Sequence, residues 1–270
     1  MPELPEVETT RRGIEPHILN QCIESVVVRQ AKLRWPVPVT ELDSLVGQVV
    51  QRVARRGKYI LLETVPGTIL IHLGMSGSLR VVTDARSPLK HDHLDIHFNN
   101  EKLLRLTDPR RFGAVLWQPQ GQLHERLSTL GPEPLSEHFS VSYLQQQCRR
   151  RTVTIKQLIM NSRVVVGVGN IYASEALFQS GIDPRKEAGR ISEKRLALLV
   201  TEIKSVLLAA IGQGGTTLKD FVNSDGKPGY FQQSLNVYGR GGLPCQNCSR
   251  PLKEVRLGQR STVFCNYCQR

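Results

Sequence analysis

The chain has 270 residues, with 36 Lys and Arg against 24 Asp and Glu and a formal net charge of +12. That length holds two domains with real cores, and the charge favours a polyanionic partner. No apolar run approaches a membrane span and the charged start lacks a signal-peptide pattern, which argues against a membrane or secreted protein. The basic residues are spread along the chain rather than gathered on an amphipathic tail, which suits a nucleic-acid groove better than a membrane surface.

The chain opens Met-Pro-Glu-Leu-Pro-Glu. Removal of Met1 would expose the Pro2 ring nitrogen, a secondary amine able to form an iminium with a sugar carbon. A free α-amine titrates near pH 8, so part of it is unprotonated at neutral pH. Glu3 and Glu6 bring acid/base groups to the same end. The plainer alternative is a common Met-Pro start with glutamates favouring a helical first turn. A short helix is expected over about 5–14, acidic at its start and basic at Arg11 and Arg12.

Short Val, Ile and Leu-rich runs then alternate with Gly, Pro, Asp and Asn. Strands are expected at 22–30, 49–53, 59–65, 68–73, 78–82, 94–98, 102–107 and 114–117, the spacing of a β-sandwich or barrel. The Gly131-Pro-Glu-Pro-Leu segment reads as a linker. Beyond it helices are expected at 141–148, 155–160, 171–180 and 192–211. Gly167-Val-Gly-Asn joins two of them, with Asn170 placed as an N-cap and an anion site at the following helix N-terminus. A plain helix–helix turn is the alternative there. Residues 212–231 are rich in turn formers.

Cys245-x2-Cys248 and Cys265-x2-Cys268 flank sixteen residues. This is zinc-ribbon spacing, and four protein thiolates leave the metal no open position, so one structural Zn2+ is expected. Disulfides or an iron site are the alternatives. Arg260 falls at the tip or flank of the intervening hairpin, as a solvated arginine or a phosphate contact. Cys22 and Cys148 carry no assigned role.

Together these residues resemble the bacterial formamidopyrimidine-DNA glycosylase family over essentially the whole length. The resemblance rests on PELPEVE at the start, RRGKY at 55–59, HLGMSG at 72–77, TDPRRFG at 107–113, GVGNIYASE at 167–175, the GGTTLKDF loop and the cysteine quartet. Leu4 and Arg111-Phe112 place it with the purine-specific branch and not with endonuclease VIII.

The resemblance implies an α+β, two-domain fold. Residues 1–133 would form an N-terminal catalytic β-sandwich with a leading helix. Residues 134–235 would form a helix-two-turns-helix domain with a lesion-capping loop, and 236–270 a zinc ribbon. It implies a monomeric, cytoplasmic, nucleoid-associated enzyme that acts on double-stranded DNA containing oxidised purines. Pro2 would attack C1′, Glu3 would act as general acid at the sugar ring oxygen, and Glu6 would orient. The Lys58 ammonium would assist catalysis, and its like charge would favour the free Pro2 amine; a strand-edge phosphate lysine is the alternative.

Base chemistry needs the nucleotide everted and the void filled. The resemblance assigns Met75, Arg110 and Phe112 to that filling, with Arg110 reading the orphaned cytosine; core packing is the alternative for Met75 and Phe112. His72, His91, Lys156, Asn170 and Arg260 match DNA-contacting positions, and 216–230 would close over the everted base. Two rivals stand beside this reading. His91, His93, Asp95 and His97 alternate as a metallohydrolase site would, and a non-enzymatic zinc-ribbon binder explains the charge but not the Pro2-Glu3 start.

Overall fold

The computed structural model describes residues 2–83, 87–214 and 235–270. They form two compact units, one of residues 2–128 and one of 129–212 with 235–270.

The first unit opens with helix α1 (Leu4–Ile18), four residues longer at its C-terminal end than the sequence pattern suggests. Pro16 lies in its last turn. The helix continues past that residue because Ile14 and Ile18, one turn apart on the same face, are both fully buried. Then follow β1 (Ile23–Val28), α2 (Val39–Asp43), β2 (Arg52–Arg56), β3 (Tyr59–Glu63), β4 (Gly67–His72), β5 (Ser78–Val82), β6 (Asp92–Phe98), β7 (Leu103–Thr107), β8 (Ala114–Pro119) and the short α3 (Glu125–Ser128).

The strands make two four-stranded antiparallel sheets, ordered β1-β6-β7-β5 and β2-β3-β4-β8. Ile60, Leu62, Ile69 and Ile71 of one sheet and Leu79, Leu94, Ile96, Leu104 and Leu106 of the other share a buried cluster with Val7, Ile14 and Ile18 of α1. The alternating apolar positions of both sheets therefore face one sandwich core, and the helix extends it. The second strand begins later than its valines suggest. Its ladder is counted back from the two-residue turn Gly57-Lys58, pairing Arg56 with Tyr59 and Arg52 with Glu63. Val49 makes only an isolated bridge with Cys22.

The second unit contains α4 (Val141–Cys148), α5 (Ile155–Ile159), α6 (Asn170–Gln179), a 3-10 turn at Ala188–Arg190, α7 (Glu193–Gly212), and the hairpin β9 (Lys253–Leu257) and β10 (Arg260–Phe264). Helix α6 packs on α7 and on β10. Phe178 shares a small apolar cluster with Val237, Leu252, Val263 and the buried Cys245 and Cys265, so the hairpin is seated on the helices by its own metal-ligand end.

Candidate active site and nucleic-acid interface

Pro2 and Glu3 are both buried, and Glu3 precedes the first turn of α1 in extended conformation. Its N–H donates to Glu6 Oε2 at 2.8 Å, and Glu6 is fully buried. Glu6 thus holds the backbone next to Pro2, and both carboxylates sit at the positive end of the helix. Pro5 falls in the first turn, where an N–H would have no helical acceptor.

Helix α1 crosses β2, β3 and β5. Arg11 NH1 donates to the Val53 carbonyl at 3.0 Å and to Glu15 Oε2 at 2.8 Å. Glu8 accepts from Arg12 Nε at 2.8 Å, Arg11 NH2 at 3.1 Å and Arg55 Nε at 3.0 Å. Arg55 NH1 donates to the Gly57 carbonyl at 2.9 Å, which fixes the turn carrying the half-buried Lys58. Gly57 takes φ +57, which glycine adopts without steric cost. Burial raises the Glu8 carboxyl, but hydrogen bonds from Arg11, Arg12 and Arg55 outweigh it and hold the group below the ordinary glutamate range. Glu8 and Arg55 lie 47 residues apart, and no motif in the sequence marks them as a pair.

Tyr59 faces His72 across the β3–β4 ladder, with ring centroids 4.9 Å apart. His72 Nδ1 accepts the Gly74 N–H at 2.9 Å. Burial, with Lys58 and Arg34 nearby, lowers this imidazole to about 4, so it is neutral at physiological pH. His72 therefore offers a neutral hydrogen-bonding group and not a cation.

Met75 lies in the turn after β4 and is half-buried; Phe112 is 45 % exposed, and the Arg110 guanidinium lies 4.9 Å from its ring centroid. Neither Met75 nor Phe112 joins the sandwich core. The two turns touch: a Cβ on Gly74 would stand 2.4 Å from the Phe112 carbonyl carbon and from the Gly113 nitrogen. His91 leads into β6, half-buried. The alternating histidines do not form a metal site. His93 Nε2 bonds the Asp108 carbonyl at 2.8 Å, and the Asp95 carboxylate is held by Arg29 and Arg105.

In the second unit, Lys156 is 1 % exposed and reaches Thr262 Oγ1 at 2.8 Å and the Ser261 carbonyl at 3.3 Å. Asn170 Nδ2 donates to that same carbonyl at 3.0 Å. The N-cap of α6 is Gly169, so Asn170 does not cap as its position suggests; it is the first helical residue, and its side chain turns to the hairpin. Gly258 and Gln259 both take positive φ at the hairpin turn, which packs on Gln157 and leaves Arg260 exposed at its flank. Lys156, Gln157, Met160, Leu257, Gly258 and Arg260 line a recess of about 230 Å³. Three segments distant in sequence thus bring a lysine, an asparagine and an arginine to one edge of β10.

Glu175 is a further residue to which the sequence pattern gives no role. Its buried carboxylate accepts the N–H groups of Asn236, Val237 and Tyr238 at 2.8–2.9 Å, fixing the chain at 236–238 against α6. The expected loop at 216–230 lies outside the described residues, as does Met1.

The four cysteine sulfurs lie within 4.8 Å of one another, the one such group of potential metal ligands among the described residues. Cys248 and Cys265 Sγ are 3.5 Å apart, and Cys245 and Cys268 Sγ are 4.0 Å apart. Tetrahedral Zn–S bonds of about 2.3 Å require sulfur separations of about 3.8 Å, whereas a disulfide requires about 2.0 Å. The set fits one structural zinc. No helix among the described residues is long and apolar enough to cross a membrane.

Comparison with known proteins matches three family models in succession: the formamidopyrimidine-DNA glycosylase N-terminal domain over 1–115, its H2TH domain over 130–222, and the zinc finger found in FPG and IleRS over 242–270. The formamidopyrimidine-DNA glycosylase of Photobacterium damsela subsp. piscicida is 55% identical over 269 residues, covering all of both chains. The crystal structure of the MutM (Fpg) protein from Thermus thermophilus superposes with a TM-score of 0.89 at 37% identity, covering 99% of this chain and 98% of that one. A structure of MutM in complex with carbocyclic 8-oxo-G containing DNA gives a TM-score of 0.91 at 33% identity, over all of both chains.

Proposed function

The chain belongs to the formamidopyrimidine-DNA glycosylase family, and from that premise we propose a base-excision repair enzyme that removes oxidised purines, 8-oxoguanine and formamidopyrimidines, from duplex DNA and then cleaves the strand. The reaction begins at Pro2, with Met1 removed. The proline nitrogen attacks C1′, the glycosidic electrons leave with the base, and the base takes a proton. The proline nitrogen loses its proton, its lone pair then opens the sugar ring by breaking C1′–O4′ as O4′ takes a proton, and the iminium so formed acidifies the 2′ protons. Loss of one expels the 3′ phosphate, a second elimination expels the 5′ phosphate, and water then releases the sugar remnant and restores the amine.

Glu3 is the acid at the ring oxygen, and its 2 % exposure keeps bulk water from competing for that proton. Glu6 orients the segment through the Glu3 amide. Lys58 supplies positive charge at the reacting sugar and favours the unprotonated amine. Met75, Arg110 and Phe112 fill the space left by the everted nucleotide. The partly exposed Phe112 and the touching turns support that assignment. Lys156, Asn170 and Arg260 grip backbone phosphate, with His72 and His91 as further contacts. In domain terms the reading keeps a catalytic sandwich to residue 133, a helical domain to 235 and the ribbon beyond. The place of action is the cytoplasm, on nucleoid DNA.

The observation that carries this reading is the tie from α1 through Glu8 and Arg55 to the Gly57 carbonyl, since it fixes the Pro2-Glu3 end and the Lys58 turn to one framework. The test is borohydride reduction of the enzyme with a duplex carrying 8-oxoguanine opposite cytosine. A covalent complex whose crosslinked peptide begins at Pro2 is expected. A crosslink at any lysine overturns the assignment, and binding without scission favours a passive DNA-binding protein.

A further inference from the structure

We propose that Asp108 is a positioning residue that makes the Met75 turn and the Arg110–Phe112 loop insert into DNA as one rigid wedge, and so sets the enzyme's discrimination of the base opposite the lesion. The proposal rests on the glycosylase reading above and deepens it, because that reading assigns the inserting side chains but nothing that holds them in register.

Asp108 is fully buried at the end of β7. Every hydrogen-bonding group it has goes to a segment proposed to touch DNA, or to its immediate support. Its N–H donates to the His91 carbonyl at 2.9 Å. Oδ1 accepts the Ser76 hydroxyl, one residue past Met75, at 3.3 Å, and the Arg110 N–H, also at 3.3 Å. Oδ2 accepts the Gly113 N–H, one residue past Phe112, at 2.7 Å. Its carbonyl accepts the Arg111 N–H at 3.3 Å and bonds His93 Nε2 at 2.8 Å. Arg111 takes φ +54, a strained left-handed turn for a residue with a side chain, which needs such support to persist.

The packing around the carboxylate leaves no room for independent movement. A Cβ on Gly113 would lie 2.9 Å from Asp108 Oδ2 and 2.8 Å from the His72 carbonyl. With the Gly74 contact already described, each turn is the wall of the other. A carboxylate offers two acceptor oxygens, and here both are engaged by the two turns. An Asn at this position keeps one acceptor and turns a donor toward the N–H of either Gly113 or Arg110, so one tie to the Arg110–Phe112 loop is lost while shape and volume are conserved.

The test uses the full-length, zinc-loaded enzyme with a duplex carrying 8-oxoguanine opposite a fluorescent cytosine analogue, which reports loss of stacking as the wedge enters. Asp108→Asn is expected to slow the fluorescence change and single-turnover excision at least tenfold. It is also expected to narrow the preference for cytosine over adenine opposite the lesion at least fivefold. Strand scission at a preformed abasic site should change less than threefold. Ser76→Ala, which removes only a hydroxyl, should move the fluorescence and discrimination readouts in the same direction, by about two- to threefold. It serves as the deciding variant if Asp108→Asn does not fold. Insertion kinetics and base preference equal to wild type in the folded variant overturn the proposal, as does an equal loss at the lesion and at the abasic site. A wild-type enzyme that excises nothing overturns the glycosylase reading instead.

Discussion

Arg55 joins Glu8, through Nε at 3.0 Å, to the Gly57 carbonyl, through NH1 at 2.9 Å. One guanidinium therefore spans helix α1 and the Lys58 turn. Replacing Arg55 by Met removes both bonds while keeping the stem. Glu8 retains Arg11 and Arg12, so the loss of stability is limited to about 1–2 kcal/mol. Single-turnover excision should fall tenfold or more with duplex affinity changed less than twofold. Arg55→Lys, with a point charge in place of a planar fork, cannot hold both acceptors and should recover only part of the rate. Equal losses in rate and affinity would contradict this role.

The second expectation concerns acid. Glu8 and Asp95 both have folded carboxyls held below their ordinary values: burial opposes this in each, and arginine hydrogen bonds prevail. Groups with depressed folded values add stability that is complete above their unfolded values, near pH 4–5, and is lost as pH falls through the folded ones. The melting temperature of the first unit should therefore drop steeply below about pH 4.5. Glu8→Gln should flatten that drop and lower the plateau above it.

His72 titrates in a separate window. Its folded value of about 4 lies below the unfolded 6.5, so its contribution is complete above about pH 7 and disappears as pH falls toward 4. The linkage is worth up to about 3 kcal/mol. A proton resonance from His72 that stays flat between pH 5.5 and 8 is expected. A midpoint near 6.5 would show the ring to be solvated and charged when it meets DNA. Because the ring is neutral, His72→Ala should leave the salt dependence of DNA binding unchanged.

Lys156 should behave in the opposite way. Lys156→Met removes a cation seated against β10 and should weaken binding to damaged and undamaged duplex alike, by about tenfold, while the log–log salt slope shrinks by about 0.9. Loss confined to lesion-containing duplex would place Lys156 in base recognition instead.

Cys245→Ser should release the zinc, unfold the β9–β10 hairpin and abolish the recess beside Arg260. The sandwich of the first unit should keep its melting transition, because its core contains no residue of the ribbon. Zinc content by atomic absorption and differential scanning calorimetry check the two halves of this expectation.

The sequence made the architecture readable where local chemistry is strict. Cysteine spacing defines a four-thiolate site whatever surrounds it, and the β-branched runs between turn formers marked all eight sandwich strands. Boundaries slipped where tertiary contacts decide. Two core isoleucines carry α1 beyond the expected end, and a hairpin turn resets β2. The Asn170 cap failed because the helix starts one residue earlier, with Gly169 at the cap, and the Asn170 amide instead donates to the Ser261 carbonyl, 91 residues away. The residues expected to act and most of their supports lie in the same motifs, but the pairings between them were not visible. Arg55 with Glu8, Asp108 with Ser76, and Glu175 with Val237 join segments far apart in the chain, and only folding brings these partners together.

The ribbon has a further consequence for the cell. Lys156 and Asn170 both lean on a strand whose seat depends on four sulfurs, and two of these, Cys248 and Cys268, are only partly covered. Oxidants that damage guanine also attack thiolates. The same chemistry that multiplies the lesions can therefore strip the metal and loosen the strand that seats Lys156 and Asn170, so, with these as the proposed phosphate contacts, repair capacity would decline under severe oxidative stress, when lesions are most abundant.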